Sequence, residues 1–290
     1  MMQNIVPFLF YRGFIMPLHS YLSTTMSLKN KYGPLALVAG ASEGLGAAFA
    51  TYLAAEGMDL VLVARRKQPL DELAQQLQEK YKVKCECISC DLSAPDAAQQ
   101  LQQHLSGKQV NLLVYNAALS YIGPFEQNNT SHNNQMAQAN MITPLNMVQA
   151  FGSDMLSRNK GAIVLMASVA GFQGSGFLSV YAATKAFNRV FAESLWYEWK
   201  ERGVDVIACC AGATATPNYI NSDPGPTSIF APRVQSPAEV VKECFEKLGK
   251  RPSFVTGTGN KIASFIMQNL MPRKMAITIM GDTTRKMYRL

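Results

Sequence analysis

Ser168, Tyr181 and Lys185 are the residues of this chain whose types and spacing can do chemistry. They frame the stretch SVAGFQGSGFLSVYAATK. If Tyr181 opens a helix, Lys185 lies one turn further along the same face. An ammonium held beside a phenol favours the phenolate and lowers a pKa that otherwise sits near ~10. A serine hydroxyl at the same point can hold a carbonyl or alkoxide oxygen. Such a set can pass a proton to or from a substrate oxygen while another group handles the hydride. Tyr-x-x-x-Lys is also an ordinary pair on a helix surface, so this reading needs a nucleotide site earlier in the chain.

That site is legible. Leu35–Ala39 reads as a buried strand. Gly40-Ala-Ser42-Glu-Gly44-Leu45-Gly46 follows, then an alanine-rich helix ending near Gly57, then a second apolar strand at Asp59–Ala64. Glycines let a backbone pass close to a pyrophosphate, and the helix N-terminus offers free N–H groups and a positive dipole end. The spacing is G-x-x-x-G-x-G, not the commoner G-x-G-x-x-G. Arg65, Arg66 and Lys67 come directly after the second strand. An acid at that place bonds a ribose 2′-OH, whereas a basic residue suits a 2′-phosphate, so the pair of arginines predicts NADP(H). A plain basic loop is the alternative. Glu43 is a contrary sign, because a carboxylate in the glycine turn repels phosphate unless it points away.

The elements that must position these residues alternate along the chain. A helix over 70–81 precedes a third strand over 84–89. Asp91 and Leu92 follow; Asp91 can accept from an adenine amino group or simply cap the next helix. Ser93 is expected to start a helix running to about Leu105. A fourth strand over 110–115 leads to Asn116 and Ala117. One long helix is predicted over 131–158, carrying Asn140 and kinked at Pro144. A fifth strand over 161–167 ends at Ser168, a helix over 181–202 carries Tyr181 and Lys185, and a sixth strand spans 204–209. This alternation predicts an α/β fold: a Rossmann-type doubly wound parallel sheet, three-layer α/β/α, in a single domain. Ligands bind at the carboxyl edge of such sheets, where the glycine turn, Asp91, Asn116 and Ser168 would gather. Residues 211–236, rich in Pro, Gly, Ser and Thr, read as a substrate loop holding Gly212 and Thr214. A helix near 237–248 and an edge strand near 253–256 complete the domain, 34–259.

Composition bounds the rest. With 290 residues and 48% hydrophobic content the chain can bury one large core. The net charge of +7 is concentrated at the two ends and the body is close to neutral, which argues against a nucleic-acid partner. Residues 1–33 are expected outside the core; Met26 resembles a natural start, so 1–25 is read as a loose membrane-touching arm or an upstream artefact. Residues 260–290 form a basic extension of two short helices, over a pocket or in weak membrane contact. Cys85, Cys87 and Cys90 are read as small residues of a strand and its end, with no metal site, since no second ligand cluster accompanies them. Nothing in the six cysteines suggests a disulfide framework, so a reducing, cytoplasmic setting is expected, with membrane association as an option.

With these pieces in order, residues 34–257 resemble the short-chain dehydrogenase/reductase family. Gly40, Gly44 and Gly46 match its glycine motif, with Ala39 in place of the usual Thr. Tyr115-Asn116-Ala117-Ala118 matches its Asn-Asn-Ala-Gly in part, and Ala211-Gly212 stands where Pro-Gly is usual. The family tetrad maps onto Asn140, Ser168, Tyr181 and Lys185. The resemblance implies Tyr181 as general acid in reduction and Ser168 positioning the substrate oxygen. It implies Lys185 lowering the Tyr181 pKa and bonding the nicotinamide ribose, and Asn140 holding a water linked to Lys185. It also implies a homodimer or homotetramer through the two central helices, those holding Asn140 and Tyr181. The cofactor residues expected on these grounds are Gly40, Ser42, Gly44, Leu45, Gly46, Arg65, Arg66, Asp91, Leu92, Asn116, Ala117, Tyr181, Lys185, Gly212 and Thr214. The function expected is an NADP(H)-dependent oxidoreductase for a hydrophobic carbonyl or alcohol. A non-catalytic NADP(H)-sensing module is the alternative, against which the intact set of four residues speaks.

Overall fold

The computed structural model describes residues 26–222, 224–225 and 233–290. The expectations for residues 1–25 lie outside this range. Seven strands form one sheet: β1 (Leu35–Ala39), β2 (Asp59–Ala64), β3 (Cys85–Ser89), β4 (Leu112–Tyr115), β5 (Gly161–Ser168), β6 (Val204–Ala211) and β7 (Ser253–Val255). Their order is β3-β2-β1-β4-β5-β6-β7 and every pairing is parallel. The order reverses direction at β1 and β4, which opens a crevice beyond their carboxyl ends.

The helices in chain order are α1 (Leu28–Tyr32), α2 (Gly44–Ala55), α3 (Lys67–Tyr81), α4 (Ala97–His104), α5 (Thr130–Ala137), α6 (Thr143–Ser157), α7 (Ser179–Trp199), α8 (Pro217–Asn221), α9 (Pro237–Lys247), α10 (Thr258–Phe265) and α11 (Arg273–Tyr288). Both sheet faces are buried, and successive strand residues serve opposite layers. Ala36 and Val38 pack with Phe49, Leu53, Leu70 and Phe245 from α2, α3 and α9. Leu37 and Ala39 pack with Leu101, Met147, Phe151 and Trp199 from α4, α6 and α7. The three-layer parallel architecture read from the sequence is the one observed.

Several local expectations are corrected. The single helix over 131–158 is instead α5, a π-turn over Gln138–Ile142, and α6. Pro144 sits in the first turn of α6 and has no N–H to give the carbonyl four residues back, so the wider turn forms just before it. Ser93 does not start a helix; α4 begins at Ala97, and the Asp91 carboxylate accepts from the Ser93 N–H (3.0 Å) and hydroxyl (2.8 Å). Asp91 therefore closes a local turn. The loop expected over 211–236 contains α8, capped by the Thr216 hydroxyl and opened by Pro217. Trp199 is buried against Gly152, whereas Tyr197 is 69% exposed, so the aromatic cluster at the end of α7 splits between core and surface.

The segment 28–33, expected outside the core, is packed against it. Tyr32 is 3% exposed and its hydroxyl donates to Asp205 at 2.7 Å, with Lys31 on the same carboxylate oxygen. A side chain at Gly33 would collide with Asn111, whose Oδ1 accepts from the Leu35 N–H. Tyr32→Phe removes one charge-assisted bond without changing packing. It is expected to cost ~1–2 kcal/mol in urea unfolding; a change below about 0.3 kcal/mol would place this segment outside the cooperative unit.

Candidate active site

The glycine turn is built by steric necessity. Gly40 has φ +81°, and a Cβ there would lie 2.7 Å from the Ala117 backbone. A Cβ on Gly46 would lie 1.8 Å from the Gly40 carbonyl oxygen. The turn thus presses against both the start of α2 and the end of β4, and the Asn116 amide locks it by donating to the Gly40 carbonyl at 3.0 Å. This cradle, a helix N-terminus with two arginines beside it, fits a dinucleotide phosphate chain.

Ser168 ends β5 and Tyr181 stands in the first turn of α7. Both side chains line the same cavity, and the Ser168 hydroxyl accepts from the Ala170 N–H at 3.2 Å. Lys185, 3% exposed, donates to the Met166 carbonyl at 2.9 Å and holds its ammonium 5.6 Å from the centre of the Tyr181 ring. Here the expected electrostatics are corrected. Burial pushes the Tyr181 phenol up, the Ser168 hydroxyl pulls it down, and Tyr288 raises it further; the net shift is upward. Lys185 lies over the ring face and is held by a main-chain carbonyl, and it is not among the causes of that shift. Its own pKa is brought down to about 8 by burial, against smaller opposing effects of Cys209 and Cys210.

One cavity of about 850 Å³ unites the predicted residues. Gly40, Ser42, Gly44, Leu45, Arg65 and Arg66 line one end; Asp91, Leu92, Asn116 and Ala117 the middle; Ser168, Tyr181, Lys185, Gly212 and Thr214 the other. Two expected residues are not on its wall. Gly46 is packed beneath the turn. Asn140 is fully buried; its Oδ1 accepts from the Leu119 N–H (2.8 Å), and its Nδ2 donates to the Leu119 carbonyl (2.8 Å) and the Thr184 hydroxyl (3.1 Å). It straps the loop after β4 to α7. Asp91 carries a lowered pKa: partial burial opposes this, while the Ser93 bonds and the Arg65 charge outweigh it.

The remaining wall comes from residues that sequence reasoning did not single out. Among them, Tyr219 and Ser222 come from α8 and the residue after it, and Met280, Thr283, Thr284, Met287 and Tyr288 come from α11. Met280, Thr284 and Met287 recur at helical spacing, a signal available in the sequence. The seating of α11 was not available. Gly176, in the loop ahead of Tyr181, meets the Gly281 backbone, where an added Cβ would be 3.1 Å away. Arg273 donates to the Phe172 carbonyl at 3.0 Å, Arg285 stacks on Phe177, and the Ser222 hydroxyl reaches Tyr288 at 3.5 Å. Among the described residues all six cysteines are unpaired, no cluster could hold a metal ion, and no helix is long and apolar enough to cross a membrane.

A doubly wound parallel sheet with a glycine turn at its switch point and a Ser–Tyr–Lys set on the same edge defines a nucleotide-binding α/β oxidoreductase. The chain belongs to the short-chain dehydrogenase family, whose model matches residues 34–226. That family uses NAD(P)(H) on hydroxyl and carbonyl groups. A 7beta-hydroxysteroid dehydrogenase of Clostridium sardiniense is 32% identical over 88% of this chain and 97% of its own. A very-long-chain 3-oxoacyl-CoA reductase of Danio rerio is 28% identical over 88% of this chain and 83% of its own. A solved 7beta-hydroxysteroid dehydrogenase structure superposes with a TM-score of 0.82 at 31% identity, covering 88% of this chain and 99% of that one. A short-chain dehydrogenase from Sphingobium yanoikuyae in complex with NADPH gives 0.69 at 30% identity, covering 77% and 87%.

The buried amine makes a stability prediction. Folding lowers the Lys185 pKa from 10.5 to about 8. Between those values the unfolded chain binds more protons, so the folded state gains stability as pH rises through that window. Below it the charged amine carries the full burial cost, ~3 kcal/mol. Lys185→Met, with Asn188 still donating to the Met166 carbonyl, is expected to raise the melting temperature of the cofactor-free protein at pH 7 by several degrees. The gain should shrink above pH 10. A parent as stable as the variant at pH 7 would refute this.

Proposed function

We propose that this protein is an NADP(H)-dependent oxidoreductase that interconverts a ketone or aldehyde and an alcohol on a bulky hydrophobic substrate, steroid-like or a long 3-oxoacyl chain. The observation that carries the reading is the shared cavity. One end suits a nucleotide, and the other holds Ser168, Tyr181 and Lys185 together with the methionine, threonine and tyrosine side chains of α11. Similarity to 7beta-hydroxysteroid dehydrogenases and a very-long-chain 3-oxoacyl-CoA reductase supports the substrate class. Arg65 and Arg66 at the end of β2, with no acid between them and Asp71, support NADP(H) over NAD(H).

A bound dihydronicotinamide supplies the hydride in such a site. Ser168 holds the substrate oxygen by a hydrogen bond. Tyr181, kept neutral by burial, donates its proton to that oxygen as negative charge develops there. The upward shift suits reduction, because the phenol remains protonated at neutral pH. The Lys185 ammonium, 5.6 Å from the centre of the Tyr181 ring, offsets the negative charge left on the phenolate. Asn140 acts as a brace: both its N–H groups are engaged within the protein. A relay water is assigned instead to its main-chain carbonyl, from which Pro144 withholds the usual N–H.

Oxidation of NADPH is to be followed across small aldehydes, steroid ketones and 3-oxo esters. Tyr181→Phe is expected to lower kcat by at least ~10³-fold with NADPH affinity retained. Turnover surviving in the variant would overturn the assignment of the proton donor, and turnover confined to small aldehydes would overturn the substrate class. The protein is also read as an oligomer built on α6 and α7, whose exposed Leu145, Val190 and Tyr197 support this. Light scattering should show a dimer or tetramer that weakens in Tyr197→Glu; a monomer at micromolar concentration would dismiss it.

A further inference from the structure

Glu43 stands in the glycine turn, directly before Gly44, where a carboxylate faces the place a pyrophosphate needs. A carboxylate at the start of a helix ordinarily turns back to accept from the first N–H groups. Glu43 does not: it makes no capping bond to α2. Its side chain pairs with the Arg66 guanidinium at 2.6 Å. Both residues line the cavity. Arg66 is one of the two arginines placed to receive a 2′-phosphate, so the partner it holds in the cofactor-free protein is an acid.

We propose that Glu43 sets cofactor selectivity by competing with the 2′-phosphate of NADP(H) for Arg66; this rests on the NADP(H) reading above. A dianionic phosphate entering beside Arg66 must displace the carboxylate or share the guanidinium with it, and it pays the repulsion of a nearby negative charge in either case. NADH brings no phosphate to this point and leaves the pair intact. Glu43 therefore weakens NADPH binding selectively and narrows the preference that Arg65 and Arg66 create. The pair is 57% and 45% exposed at its two side chains. It is a weak, readily exchanged contact that tunes affinity without blocking entry. Turning the carboxylate onto Arg66 also removes it from the α2 N-terminus, which keeps that end available for the pyrophosphate.

The test is a fluorescence titration of NADPH and NADH onto the full chain, for the parent, Glu43→Gln, Arg66→Gln and the double variant. Glu43→Gln is expected to tighten NADPH about fivefold and to leave NADH within twofold. In the Arg66→Gln background the same substitution should have a much smaller effect. Unchanged or weaker NADPH binding in Glu43→Gln would overturn the inference, as would an equal gain for both cofactors. A full fivefold gain that persists without Arg66 would also overturn it, because Glu43 would then act without that guanidinium. The underlying reading fails separately: Arg66→Gln that leaves NADPH affinity unchanged removes the assumption that Arg66 meets the 2′-phosphate. Both side chains are largely exposed, and circular dichroism of each variant is to be recorded beside the titrations as the check that the fold is retained.

Discussion

The bond from the Lys185 ammonium to the Met166 carbonyl is the contact on which the arrangement of this site depends. It joins the last turns of β5 to the first turns of α7, and those two elements carry the two hydroxyls that must meet. A buried ammonium is costly unless it is satisfied, so it admits little freedom of placement. Once Lys185 is tied to Met166, Tyr181 one turn back is brought to the strand end that carries Ser168. The pairing of β5 with β4 and β6 fixes the strand itself in the middle of the sheet. Reactive geometry here is a consequence of register and helix phase, with one costly polar bond selecting the phase.

A second layer of constraint is steric. Gly40 and Gly46 lie where two backbones approach too closely for a side chain, and Gly176 packs tightly on the backbone of Gly281. The first pair lets a phosphate chain come near the start of α2. The second pair lets the C-terminal helix lie against the loop that leads into Tyr181. The nucleotide end and the substrate end of one cavity are thus both shaped by close glycine packing. Charge then differentiates the ends: arginines and an α2 N-terminus at one, methionines, threonine and tyrosine at the other.

Burial in the cofactor-free protein works against ionisation of both central groups. It raises the phenol and lowers the amine, so each is biased towards its neutral form. The neutral phenol is a proton donor and the neutral amine a proton acceptor.

Much of this was legible in the amino-acid order. Alternating apolar runs and helical periods point to a parallel α/β sheet, because strands apolar on both faces need helices covering both. The glycine spacing, the arginines after β2 and the Ser–Tyr–Lys spacing are local and survive without coordinates. Three matters were decided by tertiary structure alone. The family resemblance implies that Asn140 holds a water, and only the fold shows its side chain committed to Leu119 and Thr184. Lys185 looked like a partner for the phenol oxygen, but a strand carbonyl captures it. The C-terminal segment showed helical spacing that suited either a pocket cover or a membrane contact, and the packing of Gly176 on Gly281 places it over the cavity. Each depends on what lies across space from a residue, and sequence neighbours carry no record of that.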